Sequence, residues 1–119
     1  MLFRSLKRGL AFSLGAMGSA RTNFYNRAYQ RGGYEDAAAE VQRLWVAGRR
    51  EDAVAAVPDE LALRTSFVGT DEMVLGRLRA CRDAGVTTVR LDPAGETVTA
   101  RLDTLARGLD LLRRLDEAA

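Results

Sequence analysis

The sequence has no histidine, one cysteine, one lysine and two prolines among 119 residues. Without histidine there is no Ser-His-Asp triad, no Cys-His dyad and no imidazole ligand for zinc or haem. A single cysteine excludes an internal disulfide and every multi-cysteine metal site, so no metal centre is expected. It is compatible with a reducing cytoplasm, where the chain is placed. No apolar run reaches the ~20 residues that a bilayer span needs. What remains is an ordinary globular composition, 47% hydrophobic and 29% charged. A chain of this length can bury roughly two-thirds of its unfolded surface.

The net charge of +2 is unevenly spread. Residues 1–34 carry Arg4, Lys7, Arg8, Arg21, Arg27 and Arg31 and no acid, while all 16 acids fall in residues 35–119. A basic front third faces either phosphates or plain solvent. The remainder is net acidic, which argues against a nucleic-acid partner. Arginine outnumbers lysine so heavily that the bias reads as genome composition rather than function.

Residues 1–20 have the outline of a secretory signal: Arg4, Lys7 and Arg8, an apolar stretch from Leu10 to Met17, then Gly18, Ser19 and Ala20. Ser13 and Gly15 interrupt that stretch. The preferred reading is a buried strand over 9–14, ending in the turn Gly15-Ala16-Met17-Gly18. Thr22 and Asn23 then cap a helix that Gly32 and Gly33 stop. Ala38, Val41, Leu44 and Trp45 form the stripe of a second helix, ended by Gly48. A third short helix, Arg50 to Ala56, places Ala53, Val54 and Val57 together, and another opens with Pro58 at its first helical position. Thr70 caps a helix that Gly85 stops. Val86 to Leu91 is β-branched and lies between Gly85 and Pro93, which predicts a strand. Val98, Leu102, Leu105, Leu109 and Leu112 recur at intervals of 4, 3, 4 and 3 on a final helix. The predicted plan is one domain over 1–119: strand 9–14, helical insert 22–65, helix 70–84, strand 86–91, helix 97–115. Two strands are too few for a self-sufficient α/β domain.

Several segments together resemble a known family. They are "LAFSLGAMG" at residues 10–18, Asn23-Phe24-Tyr25-Asn26, "GYEDAAAEVQRLWVAGRREDAVAAVPDEL" and "FVGTDEMVLGRLRACRDAGVTTVRLDP". In this order they resemble the C-terminal third of luciferase-like monooxygenases, above all the flavin- or coenzyme F420-dependent oxidoreductases. Ala16 departs from the family's usual glycine, and Arg90 is an unusual charge in the last strand. The resemblance implies an α/β fold, the C-terminal part of a (β/α)8 TIM barrel with its last two strands and a helical insert. It implies F420 or FMN as cofactor and a small-molecule substrate. A whole barrel takes about 250 residues, so the chain is expected to be a fragment lacking most of the cofactor site.

At the C-terminal face of a barrel strand, loops carry the chemistry. Gly15, Ala16, Met17 and Gly18 are therefore the candidate cofactor-binding residues. The competing reading is a tight turn that needs glycine for its backbone angles. Asn23 to Asn26, with Arg21 and Arg27, either hold an anionic group or cap and pack a helix. Asp92 ends the second strand, Cys81 lies on an apolar helix face, and Asp59 and Glu60 suit a helix start. No catalytic residue is named by any pattern. Two functions remain open. One is a luciferase-like oxidoreductase, its cofactor carrying hydride or oxygen chemistry. The alternative is a non-enzymatic helical α/β module that dimerises or binds a partner through the leucine seam. Self-association through an exposed strand edge is also expected, with no nucleic acid and no membrane as partners.

Overall fold

The structure, a computed structural model, describes residues 2–19 and 21–117. Ala20, the end of the signal-like outline, lies outside the described residues. Those residues form seven helices: α1 Leu2–Gly15, α2 Phe24–Arg31, α3 Glu35–Val46, α4 Arg50–Ala56, α5 Asp59–Thr65, α6 Asp71–Asp83 and α7 Val98–Glu117. The chain divides into two compact units, Met1–Ser66 and Phe67–Ala119.

Neither predicted strand forms, and no strand or sheet exists among the described residues. This overturns the reading of the chain as the α/β C-terminal part of a TIM barrel. Residues 9–14 are the second half of α1. The reason shows once the window is widened. Phe3, Leu6, Leu10 and Leu14 recur at 3, 4 and 4, which is helical spacing. Leu10, Ala11 and Leu14 are buried on that stripe, while Gly9 and Phe12 face out. Residues 86–91 carry no regular structure. A strand is stabilised by a neighbour's hydrogen bonds, and with 9–14 helical the segment has none. The single barrel domain over 1–119 took its unity from that sheet, and the strand edge meant to drive self-association goes with it.

In the first unit, α1 packs against α3, α4 and α5, and α2 packs against α1 and α3. Leu14, Val41, Val57 and Leu61 are almost wholly enclosed. Each such side chain contributes about 1.5–3 kcal/mol on burial. α2 and α3 end in the same device. Gly33 and Gly48 have positive φ, +95° and +79°. The next amides, of Tyr34 and Arg49, reach back to the carbonyls of Tyr29 and Leu44 at 3.0 and 2.9 Å. That is the Schellman pattern.

In the second unit, the Thr70 hydroxyl accepts from the Met73 amide at 3.3 Å and opens α6. Gly85, φ +97°, closes it with the Val86 amide on the Cys81 carbonyl at 3.0 Å. Leu75 and Leu78 of α6 meet Leu111 and Leu115 of α7, with Val89 packed alongside. Arg107 of α7 reaches Asp71 at 2.8 Å.

Candidate functional site

The segment singled out by sequence, residues 15–18, joins α1 to α2. Gly15 is the last residue of α1. A β-carbon placed on it would lie 2.4 Å from Cβ and Cγ of Trp45 on α3. Its missing side chain is thus the space that Trp45 occupies. The Ala16 amide donates to the Phe12 carbonyl at 2.8 Å. Met17 is half-buried. Gly18 has φ +79°, and its β-carbon would sit 3.1 Å from the Thr22 carbonyl oxygen. That backbone angle is the one that favours glycine.

Two asparagines lock the joint from beneath. Asn23 and Asn26 are each only 2% exposed. The Asn23 Oδ1 accepts from the Asn26 amide at 3.0 Å, capping α2. Its Nδ2 donates to the carbonyls of Ser13 and Leu14 at 3.0 and 2.9 Å. The Asn26 Nδ2 donates to the carbonyls of Leu14 and Ala38, both at 2.9 Å. Gln30 completes the set by donating to Asn26 Oδ1 at 2.6 Å. The last carbonyls of α1, unpaired within the helix, are satisfied by these side chains. Of the two readings of Asn23 to Asn26, the geometry supports the capped and packed helix. The cap at Asn23 is legible in sequence. The bonds from Asn26 to Leu14 and Ala38 span 12 residues each and leave no local signal.

The neighbouring cations differ in their engagement. Arg4 and Arg8 share Glu51, and Lys7 reaches Asp59 at 2.5 Å. Arg27 donates to the Arg21 carbonyl and lies over the Phe24 ring, 6.0 Å from its centre. Asp59 and Glu60 lie in the first unit, Cys81 and Asp92 in the second. Asp92 pairs with Arg90 at 2.6 Å and is exposed. Glu60 pairs with Arg64 at 3.3 Å. Cys81 is half-buried. Among the described residues no group of His, Cys, Asp and Glu is placed to hold a metal. None of the described helices is long and apolar enough to cross a membrane.

A flavin or deazaflavin needs a concave site that encloses most of its surface. The 15–18 joint is crowded by Trp45 and Thr22, and Asn23 and Asn26 engage the Ser13 and Leu14 carbonyls that precede it. A shallow depression lies at Gly33, Tyr34, Glu35, Asp36 and Ala37. Its two carboxylates are the wrong sign for a phosphate-bearing cofactor. The described residues therefore do not fit either cofactor.

Comparison with known proteins adds an independent line. The family model for luciferase-like monooxygenases matches residues 4–88. A Mycobacterium tuberculosis protein that carries the name of a coenzyme F420-dependent oxidoreductase is 36% identical over 85 residues. The alignment covers 71% of this chain and 24% of that protein. The chain spans about a quarter of the length of the curated relative it matches. No solved structure matches it.

Proposed function

Because the chain belongs to the luciferase-like monooxygenase family, we propose that it works in coenzyme F420-dependent oxidation–reduction of a small molecule. The supporting observation is the 36% identity to the named F420-dependent oxidoreductase. It favours F420 over FMN. When bound, F420 supplies the hydride chemistry. Within this reading the chain contributes helical framework, and the ring of the cofactor is enclosed by polypeptide other than these residues. Gly15, Ala16, Met17 and Gly18 serve as the joint between α1 and α2 rather than as the berth of the cofactor. A cytoplasmic setting suits the single free thiol, Cys81.

Two measurements test this. In the first, residues 4–88 replace the matching segment of the Mycobacterium tuberculosis relative, and turnover is assayed with F420 and with FMN. F420-dependent turnover is expected. A soluble, folded chimera that uses FMN alone, or neither cofactor, overturns the F420 assignment. In the second, the chain itself is titrated with each cofactor by fluorescence. No saturable binding is expected in the micromolar range, roughly −8 kcal/mol. Saturable F420 binding that Gly18→Val abolishes would return residues 15–18 to the cofactor.

A further inference from the structure

The six cations of residues 1–34 divide into two sets. Arg4, Lys7 and Arg8 of α1 are paired with Glu51 and Asp59. Elsewhere in the first unit Glu40, Asp52 and Glu60 are held by Arg43, Arg49 and Arg64. Arg21, Arg27 and Arg31 are left with no carboxylate among the described residues. They stand together on the outer side of α2. Phe24, Arg27, Ala28 and Arg31 share one face of that helix, and all four are exposed. Arg21 joins them through its carbonyl, which accepts from Arg27, and Arg27 lies over the Phe24 ring. Phe24 and its neighbour Tyr25 are 73% and 52% exposed. The inward side of the same helix is Asn26, Tyr29 and Gln30. For an ordinary surface helix α2 is thus inverted, with an amide enclosed and a phenyl ring in water. One exposed ring or one solvated arginine is ordinary. Rings framed by three unpaired guanidiniums are the composition of interface centres.

We infer that the outer face of α2 is a docking surface for an acidic helix of a partner protein. Arg27 and Arg31 lie one turn apart, about 6 Å along the helix. Two carboxylates spaced by three or four residues on a partner helix match that separation and reach both guanidiniums. Phe24, on the same face, takes an apolar side chain of the partner. Other occupants match the face less well. A nucleic acid stacks its bases on open rings, and Arg27 covers a face of Phe24. A bilayer takes a broad apolar stripe, whereas α2 has eight residues and sets Phe24 among three cations. A second copy offers carboxylates at that spacing on its described helices only at Asp36 and Glu40, and Arg43 already holds Glu40 at 2.7 Å. The inference goes beyond the oxidoreductase reading and does not depend on it, because it uses no cofactor and no reacting group.

The test is an NMR titration of the isotopically labelled full chain. The probe is an alanine-based helical peptide of about 16 residues, carrying glutamates at three- and four-residue spacing around one leucine. Saturable shifts confined to residues 21–31 are expected, weakening as salt rises. Arg31→Gln and, separately, Phe24→Ala are each expected to weaken binding at least about threefold, with the helical circular dichroism and melting point kept. Arg8→Gln removes a cation that Glu51 already engages and is expected to change binding little. The same peptide with every glutamate replaced by glutamine is expected not to bind. No shift at α2 overturns the inference, and so does equal binding of the glutamine peptide. Binding that Arg8→Gln weakens as much as Arg31→Gln overturns it too, because overall charge then suffices. Phosphatidylserine vesicles and a thymidine oligonucleotide are titrated alongside, and tighter binding of either at α2 overturns the protein partner in favour of that class. Shifts at α2 that grow with chain concentration in the absence of peptide overturn it in favour of a second copy.

Discussion

Gly15 and Trp45 occupy one position in space: the β-carbon that Gly15 lacks would lie 2.4 Å from the Trp45 Cβ. This sets how closely α1 approaches α3. The indole so placed receives the edge of Phe12, ring centres 5.9 Å apart at 88°, and the Arg50 guanidinium 5.3 Å over its face. Gly15→Ala gains at most about 1 kcal/mol of helix propensity. The atom it meets is fixed to the α3 backbone and cannot swing aside, so overpacking costs about 1–3 kcal/mol. The net expectation is a lower urea midpoint with a shifted Trp45 emission. In a Trp45→Gly background the cost should vanish, because that change removes the Cβ and Cγ that the new methyl meets. A raised midpoint in the single variant contradicts this packing.

Asn26 is the side chain that ties three helices together, through the carbonyls of Leu14 and Ala38. Asn26→Ala leaves both carbonyls and the Gln30 amide without that partner. The Leu14 carbonyl keeps its bond from Asn23, so the expected loss is that of a few buried hydrogen bonds, about 1–3 kcal/mol in all. Asn26→Asp should be worse at neutral pH, because a carboxylate then faces the two carbonyls. Burial raises such a carboxyl above its unfolded value. The variant is therefore least handicapped below the unfolded value and loses stability as pH rises through the folded one. Urea midpoints from pH 4 to pH 8 measure this; a flat difference between the Asp and Ala variants across that range contradicts it.

The punctuation of the helices was legible in sequence, and one expected sheet was not. Asn23 and Thr70 cap where they stand, because a short polar side chain before an apolar stripe has a local job. Gly33, Gly48 and Gly85 stop helices for an equally local reason. The segment 9–14 misleads because a short apolar run between glycines suits a strand or a buried helix equally. The stripe that decides between them begins at Phe3, among the charges of residues 4–8. Val86 to Leu91 has strand composition, but pairing is a property of two segments, and composition reports one. At the joint, Gly18 reads correctly as a turn glycine. Gly15 does not, since its partner Trp45 lies 30 positions away.

Glu51 bridges α4 to α1. It accepts from Arg4 at 2.7 Å and Arg8 at 3.3 Å. The Arg4 hydrogen bond, then the Arg8 charge, hold its carboxyl below the usual range. A depressed carboxyl contributes stability above its unfolded value and loses it as pH falls through its folded value. Glu51→Gln should therefore lower the melting point near neutral pH, with the gap to wild type closing in acid. The pair is exposed, so high salt should narrow the gap at neutral pH too. A gap that survives both acid and salt would mean that Glu51 acts by packing rather than charge.

Tyr34 closes the first unit beside α5, and its phenol is the informative atom. The ring packs against the core. The hydroxyl oxygen is buried and makes no hydrogen bond. Arg64 stands near it without bonding geometry, yet its guanidinium is held above the ordinary value, first by that phenol and then by Glu60. Proximity without a bond leaves a polar atom out of water with little return. Tyr34→Phe removes that atom and keeps the ring. The expected result is a melting point unchanged or raised, within about 1 kcal/mol of wild type. Arg64 retains its contact with Glu60 at 3.3 Å and so is not stranded. Tyr34→Ala, by contrast, opens a cavity and should cost about 3–5 kcal/mol, as aromatic truncations in cores do. If Tyr34→Phe instead lowers stability by more than about 1 kcal/mol, the hydroxyl has a bonded partner. Arg64→Met then identifies it: a hydroxyl bonded to Arg64 would make the two losses non-additive in the double variant.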